Sequence, residues 1–253
     1  MYVFIYATRK ERRESKNESE LALKTVGIIG GVGPESTIEY YRQIFACYRE
    51  EVPDGTAPSI IINSIDVKKV LGLVADKELV QLTDYLASEV QRLSRAGADF
   101  AVLAANTPHI VFDEVQQRSS IPLISIVQAT CDAAKALGLK RAGLFGTRFT
   151  MQAGFYQNVF SREGISIVLP AQSDQAYVHD KYVNELLKNV FLPATHDALL
   201  AIADKMIEQE RIEALILGGT ELPLILRETA RQGVPFLDTT RIHVRAVVAQ
   251  LLT

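Results

Sequence analysis

Several things are scarce in this chain of 253 residues, and each scarcity excludes something. Only two cysteines are present, Cys47 and Cys131, so no disulfide framework can be built and a reducing cytoplasm is the expected compartment. Both lie in apparent helices, YYRQIFACYRE and QATCDAAKAL. No cluster of His and Cys has metal-ligand spacing, so no metal site is expected. No apolar run approaches the length of a membrane span, so no membrane partner is expected. Cationic residues do not exceed anionic ones: the formal charge is −3, which leaves no electrostatic footprint for nucleic acid. The Gly-rich segment GIIGGVG has glycines at 27, 30, 31 and 33, not the G-x-G-x-x-G spacing. No acid follows a second strand about 20 residues on, so dinucleotide binding is disfavoured.

What is there is a soluble-protein composition, 48% apolar, enough for one large domain or two small ones. Residues 1–24 differ. MYVFIYA is apolar and TRKERRESKNESE almost wholly polar, the reverse of a signal peptide, so a mobile N-terminal extension is expected. From Thr25 onward short apolar runs alternate with amphipathic stretches. Candidate strands are 26–30, 59–65, 100–105, 122–126, 142–146, 165–170, 214–218 and 235–238. Most are continuously apolar, the mark of parallel strands covered on both faces. Between them, Leu79, Leu82, Leu86, Val90 and Leu93 repeat at helical spacing. Thr195 is expected to cap a helix over 196–209, Leu186 and Val190 to anchor another, and Ile242–Leu252 to close the chain.

The chain also repeats itself. AVLAANTPHIVFDEVQQRSSIPLIS (101–125) and ALILGGTELPLILRETARQGVPFLD (214–238) align at an offset of 113, with Thr107 on Thr220 and Pro122 on Pro235. VGIIGGVGPEST and AGLFGTRFTM match at nearly the same offset. The expected fold is therefore α/β: two pseudo-symmetric open parallel-sheet domains, residues 25–125 plus 239–253 and residues 126–238, with a site in the cleft between them. In such sheets ligands bind beyond the carboxyl ends of the strands. The four tips that matter are GGVGPEST, AANTPH, GTRFT and GGTE. Their small residues, hydroxyls and amides suit a small polar ligand with a carboxylate. Asn106, Thr107, Thr147 and Thr220 can be ligand groups or helix caps. Asp66 can be a cap, and His109 an acid/base or a structural residue. Tyr177, His179 and Lys181 lie in a polar stretch, and Arg148 can pair with a carboxylate or face water.

At these tips the sequence resembles the aspartate/glutamate racemase family, the cofactor-independent amino-acid racemases. GIIGGVGPEST resembles the family's opening turn. LSRAGADFAVLAANTPH resembles its first cysteine segment, GTRFTM its middle substrate-binding turn, and LILGGTELPL its second cysteine segment. The resemblance implies catalysis without pyridoxal phosphate or any other cofactor, and usually a homodimer. It implies a small amino acid or dicarboxylate as ligand, bound by Gly31, Ser36, Thr37, Asn106, Thr107, Thr147, Thr150, Tyr177 and Thr220. The departures fall on the chemistry. Racemisation needs a base and an acid on opposite faces of the α-carbon, and the family uses two thiols. Here those positions hold Ala105 and Gly219. Tyr177 stands where many relatives place a lysine. Glu221, His109 and Asp66, with Tyr177, are the remaining acid/base candidates. Three readings follow: a diverged isomerase- or lyase-type enzyme without the thiol relay, an inactive binder of an amino acid or carboxylate, or an ordinary racemase whose cysteines have been replaced.

Overall fold

A computed structural model of the chain describes residues 24–53 and 55–253, so the N-terminal extension expected above lies, apart from Lys24, outside the described residues. The first half runs β1 (Thr25–Gly30), α1 (Pro34–Glu51), β2 (Ser59–Ser64), α2 (Val67–Ala75), α3 (Leu79–Arg95), β3 (Phe100–Leu103), a 3-10 turn (Thr107–Val111), α4 (Phe112–Arg118) and β4 (Leu123–Ile124). The second runs α5 (Ile126–Ala136), β5 (Arg141–Gly146), α6 (Arg148–Gln152), α7 (Phe155–Arg162), β6 (Ser166–Val168) and α8 (Gln172–Asn184). It continues with a 3-10 turn (Leu186–Lys188), α9 (Pro193–Glu210), β7 (Ala214–Gly218), α10 (Leu222–Ile225), β8 (Ala230–Arg231), β9 (Val234–Asp238) and α11 (Thr239–Leu251).

The internal repeat is a repeat of topology. One sheet has the order β2-β1-β3-β4, the other β6-β5-β7-β9-β8, so β1, β2, β3 and β4 correspond to β5, β6, β7 and β9. All pairings are parallel except β8 with β9. That added hairpin turns on Gln232 and Gly233, both at positive φ (50° and 80°), as a two-residue turn of matching twist requires.

Central strands bury every residue, as in VGIIG of β1, FAVL of β3 and ALILG of β7. The expectation of two-sided burial fails at β2. SIIINS is an edge strand with no fully buried residue, and Ile62 is 42% exposed. α3 presents Leu82, Leu86, Val90 and Leu93 to the first sheet, whereas Leu79 at its start stays partly exposed. Each buried leucine removes enough apolar surface to contribute about 1.5–3 kcal/mol. α9 starts earlier than expected. Pro193 occupies its first turn, where a missing N–H costs nothing, and Thr195 lies inside, its hydroxyl donating to Glu185. The polar stretch 172–184 forms the helix α8, which buries only Val178 and Tyr182.

The chain crosses between sheets twice. α5 follows β4 yet packs Ile126, Val127, Cys131 and Ala134 against Ala142, Leu144, Ala214 and Ile216 of the second sheet. α11 follows β9 yet packs Val244, Val247, Val248 and Leu251 on Val26, Ile28 and Phe100 of the first. α5 and α11 also pack on each other, and residues at the strand tips of both sheets line one cavity. Among the described residues no helix is long and apolar enough to cross a membrane.

Candidate active site

The β1–α1 turn is built around Gly31, at φ 84°. A side chain there would press on the Ile65 backbone and come 2.7 Å from Ser64 Oγ. The Gly31 N–H donates to Thr37 Oγ1 (2.8 Å), and the Ser36 hydroxyl donates to the Ala104 carbonyl (2.6 Å). Ser36 and Thr37 therefore shape the turn and tie it to the tip of β3.

Between the halves lies a cavity of about 40 Å³. Val32, Gly33, Val67, Leu71, Ala105, Asn106 and Thr107 line it from the first half. Thr147, Thr150, Tyr182, Leu187, Gly218, Thr220 and Glu221 line it from the second. It is far smaller than the roughly 300–1,000 Å³ usual for ligand sites, so it takes a very small occupant unless the halves open. A larger surface cavity of about 430 Å³ is bordered by Arg227, Arg241 and Arg245, but no buried acid/base pair converges there. The small cavity at the tips is the better candidate.

Three threonines join the halves across it. Thr107 Oγ1 lies 3.4 Å from Thr147 Oγ1, which lies 3.1 Å from Thr150 Oγ1. Thr147 also caps α6 by accepting the Thr150 N–H (3.1 Å). Asn106 is held at both ends. Its Oδ1 accepts the Tyr156 hydroxyl (2.6 Å) and its Nδ2 donates to Thr239 Oγ1 (3.3 Å). The Thr239 hydroxyl in turn donates to the Leu217 carbonyl of β7 (2.9 Å), and the amide cannot rotate without breaking its bonds to α7 and α11.

On the second half's wall, Glu221 is buried. Its Oε2 accepts the Thr220 hydroxyl (2.8 Å) and the hydroxyl of Tyr182. Its Oε1 faces the opening turn: a side-chain carbon on Gly33 would stand 2.9 Å from it. Burial raises the Glu221 pKa, and the Tyr182 and Thr220 hydrogen bonds oppose that rise. Burial, then the neighbouring Glu221 charge, pushes the Tyr182 phenol well above its ordinary value.

Tyr182 also explains Gly219. A Cβ at 219 would stand 2.7 Å from the Tyr182 hydroxyl oxygen and 2.8 Å from Cζ. The tyrosine ring fills the volume into which a side chain at 219 would project, so any side chain there requires the ring to move. Gly219→Cys is expected to lower stability by about 1–3 kcal/mol through overpacking. Urea unfolding in wild-type and Tyr182→Ala backgrounds checks this. An equal loss in both would show that the ring is not the obstacle.

Other candidates lie elsewhere. His109 does not line the cavity. Its Nε2 accepts the Ile126 N–H (3.1 Å) and its Nδ1–H donates to the Ala105 carbonyl (3.0 Å), which fixes a neutral tautomer. Burial lowers its pKa to about 3. Asp66 is exposed and caps α2 by accepting the Lys68 N–H (2.8 Å). Tyr177 packs half-buried against the second core, with Lys181 Nζ 5.6 Å from its ring centroid. Neither cysteine lines the cavity, and burial raises both thiol pKa values, Cys131 to about 11. Among the described residues no cluster of His, Cys, Asp and Glu could hold a metal ion. Sequence reasoning missed Tyr182 and Tyr156. The one available signal for Tyr182 was its i, i+4 relation to Val178 in an otherwise polar run.

Residues 29–247 match the family model for Asp/Glu/hydantoin racemase. The broad specificity amino-acid racemase RacX of Bacillus subtilis (strain 168) is 24% identical over 236 residues, 90% of this chain and 98% of that protein. Two solved structures cover 91% of this chain and all of their own. One is an aspartate racemase homologue from Pyrococcus horikoshii OT3, 33% identical with a TM-score of 0.77. The other is a provisionally assigned Asp/Glu racemase from Yersinia pestis, 31% identical with a TM-score of 0.82.

Proposed function

The chain belongs to the Asp/Glu/hydantoin racemase family, and on that premise we propose that it is a cofactor-free acid/base enzyme working from one face of its cleft. Its substrate is a small amino acid or related carboxylic acid. The observation that carries this reading is the Glu221–Tyr182 contact on the cavity wall, opposite the bare methyl of Ala105. Ala105 and Gly219 stand where the resemblance places the two thiols. The second position has a substitute in Tyr182 and Glu221, and the first has none.

The chemistry follows from that asymmetry. Glu221 takes the proton from the carbon beside the substrate carboxylate. The C–H bond breaks, and its electron pair moves into the carboxylate as an enediolate. Thr107, Thr147 and Thr150 are placed to donate hydrogen bonds to the growing negative charge. Tyr182 and Thr220 hold the Glu221 carboxylate in place. Protonated Glu221 trades its proton with solvent and then delivers a solvent-derived proton to the same face. A base on one side gives exchange with retention, whereas racemisation requires a donor on the Ala105 side.

The working unit is two domains, residues 25–125 with 239–253 and residues 126–238, in a homodimer of a reducing cytoplasm. Sedimentation of the full chain tests the dimer. A racemase with replaced cysteines fits less well, because Tyr182 fills the volume beyond Gly219.

Incubation with both enantiomers of alanine, aspartate and glutamate in D₂O, followed by proton NMR, tests the activity. The expected result is loss of the α-proton signal from one enantiomer with no matching appearance of the other. Binding without exchange across the panel would leave the inactive-binder reading in its place.

A further inference from the structure

We infer that the cleft selects an amino acid with one carboxylate and a compact uncharged side chain, and discriminates against dicarboxylates. The inference deepens the proposed function and rests on it for the location of the substrate. Among the described residues, none lining the cavity is Lys, Arg or His, and its only side chains with ionisable groups are Glu221 and Tyr182. Lys68 of α2 and Arg148 of α6 do not line the cavity, and two other cations on the flanking helices are engaged elsewhere. Lys69 of α2 sits 3.7 Å from the Tyr85 ring centroid, and Lys181 of α8 pairs with Glu185. The hydroxyls of Thr107, Thr147 and Thr150 form a single connected set, enough for one carboxylate. Of the other polar lining residues, Asn106 is held by Tyr156 and Thr239 and Thr220 donates to Glu221, and Val32, Val67, Leu71 and Leu187 give the wall an apolar stretch.

Charge balance decides between substrate classes. A zwitterion such as alanine brings no net charge, and its ammonium group is favoured by an ionised Glu221. Aspartate or glutamate brings a second carboxylate into a desolvated space that already holds a carboxyl group and has no cation to pair with it. Burying an unpaired charge is among the costliest changes in a protein interior.

The test uses the full chain and measures two things on one panel: alanine, 2-aminobutyrate, aspartate and glutamate. Binding is read by NMR line broadening and titration, turnover by α-proton exchange in D₂O. Alanine and 2-aminobutyrate are expected to bind at least about tenfold tighter than the dicarboxylates, a difference of about 1.4 kcal/mol. Leu71→Lys and Leu187→Lys each place a cation on the apolar wall from a different half. Each is expected to shift the ratio about tenfold towards aspartate. Dicarboxylates binding as well as alanine, no binding by any member, or a ratio unmoved in both variants that fold would each overturn the inference. Selective binding of alanine without exchange would uphold the inference and defeat the catalytic reading. Exchange on aspartate in preference to alanine would do the reverse.

Discussion

Glu221→Gln abolishes α-proton exchange, lowering its rate by roughly 100- to 10,000-fold, the range that a positioned general base contributes. The amide keeps the size of the side chain and can still accept the Thr220 and Tyr182 hydroxyls, so the fold should persist. What is lost is the only carboxylate among the cavity-lining residues described. Binding of alanine, read by the same NMR titration, should weaken because the ammonium group loses its charged partner, yet stay measurable because the threonine cradle is untouched. A variant that exchanges at the wild-type rate would remove Glu221 from the mechanism.

Tyr182→Phe separates positioning from proton transfer. Its hydroxyl donates to Glu221 and favours the ionised carboxylate, while burial opposes it. Removing the hydroxyl should raise the Glu221 pKa further. The expected signature is an acidic limb of the pH–rate profile displaced to higher pH, with a smaller loss at the plateau than in Glu221→Gln. A uniform loss with no displacement would mean that Tyr182 acts only by filling space beyond Gly219.

The reach of the sequence is clearest where these two residues are compared. Glu221 was legible because it follows a continuously apolar strand, and the repeat at an offset of 113 placed it opposite AANTPH. The central strands β1, β3, β5 and β7 were legible for the same reason, since buried parallel strands read as uninterrupted apolar runs, whereas the edge strands β2 and β6 carry apolar runs without that burial. Tyr182 was not. It sits on α8, whose QSDQAYVHDKYVN has two buried residues in thirteen and no amphipathic stripe to mark it as a helix. The helix is held by its packing beside α9 and β5, and no local pattern records that. Gly219 likewise reads as a deleted side chain in the sequence and as an occupied volume in three dimensions. His109 misled for the opposite reason. A histidine six residues beyond the end of β3 has the chemistry of a catalyst, and only the positions of the Ile126 N–H and the Ala105 carbonyl reveal both nitrogens as structural.

That structural role carries the second large effect, on acid stability. His109 and His243 lie with ring centroids 6.3 Å apart, both buried. His243 on α11 accepts the Tyr40 hydroxyl at Nδ1 (2.7 Å) and donates from Nε2 to the Ile124 carbonyl (2.9 Å). Each ring therefore uses one nitrogen as donor and the other as acceptor, an arrangement only the neutral form satisfies. Burial is the main cause that lowers their pKa values to about 3 and about 4. In the unfolded chain both return to about 6.5. Neutrality thus contributes stability that is fully present above pH 6.5. As the pH falls the unfolded state binds protons that the folded state refuses. With two such groups stability falls by about 2.7 kcal/mol per pH unit, until the folded pKa values are reached. The raised carboxyls of Glu221 and Asp238 act in the opposite sense, since they bind protons more readily when folded, and they soften the lower end of the slope. Urea unfolding between pH 7 and pH 5, above most carboxylate titration, isolates the histidines. His109→Gln and His243→Gln should each flatten the slope by about one proton, whatever either does to stability at pH 7. These rings bind the tip of β3 to the start of α5 and join α11 to α1 and β4, and because the folded rings stay neutral down to about pH 4 and about pH 3, those bonds persist along the slope and break only at its lower end. A slope unchanged in the double variant would assign acid lability to groups other than this pair.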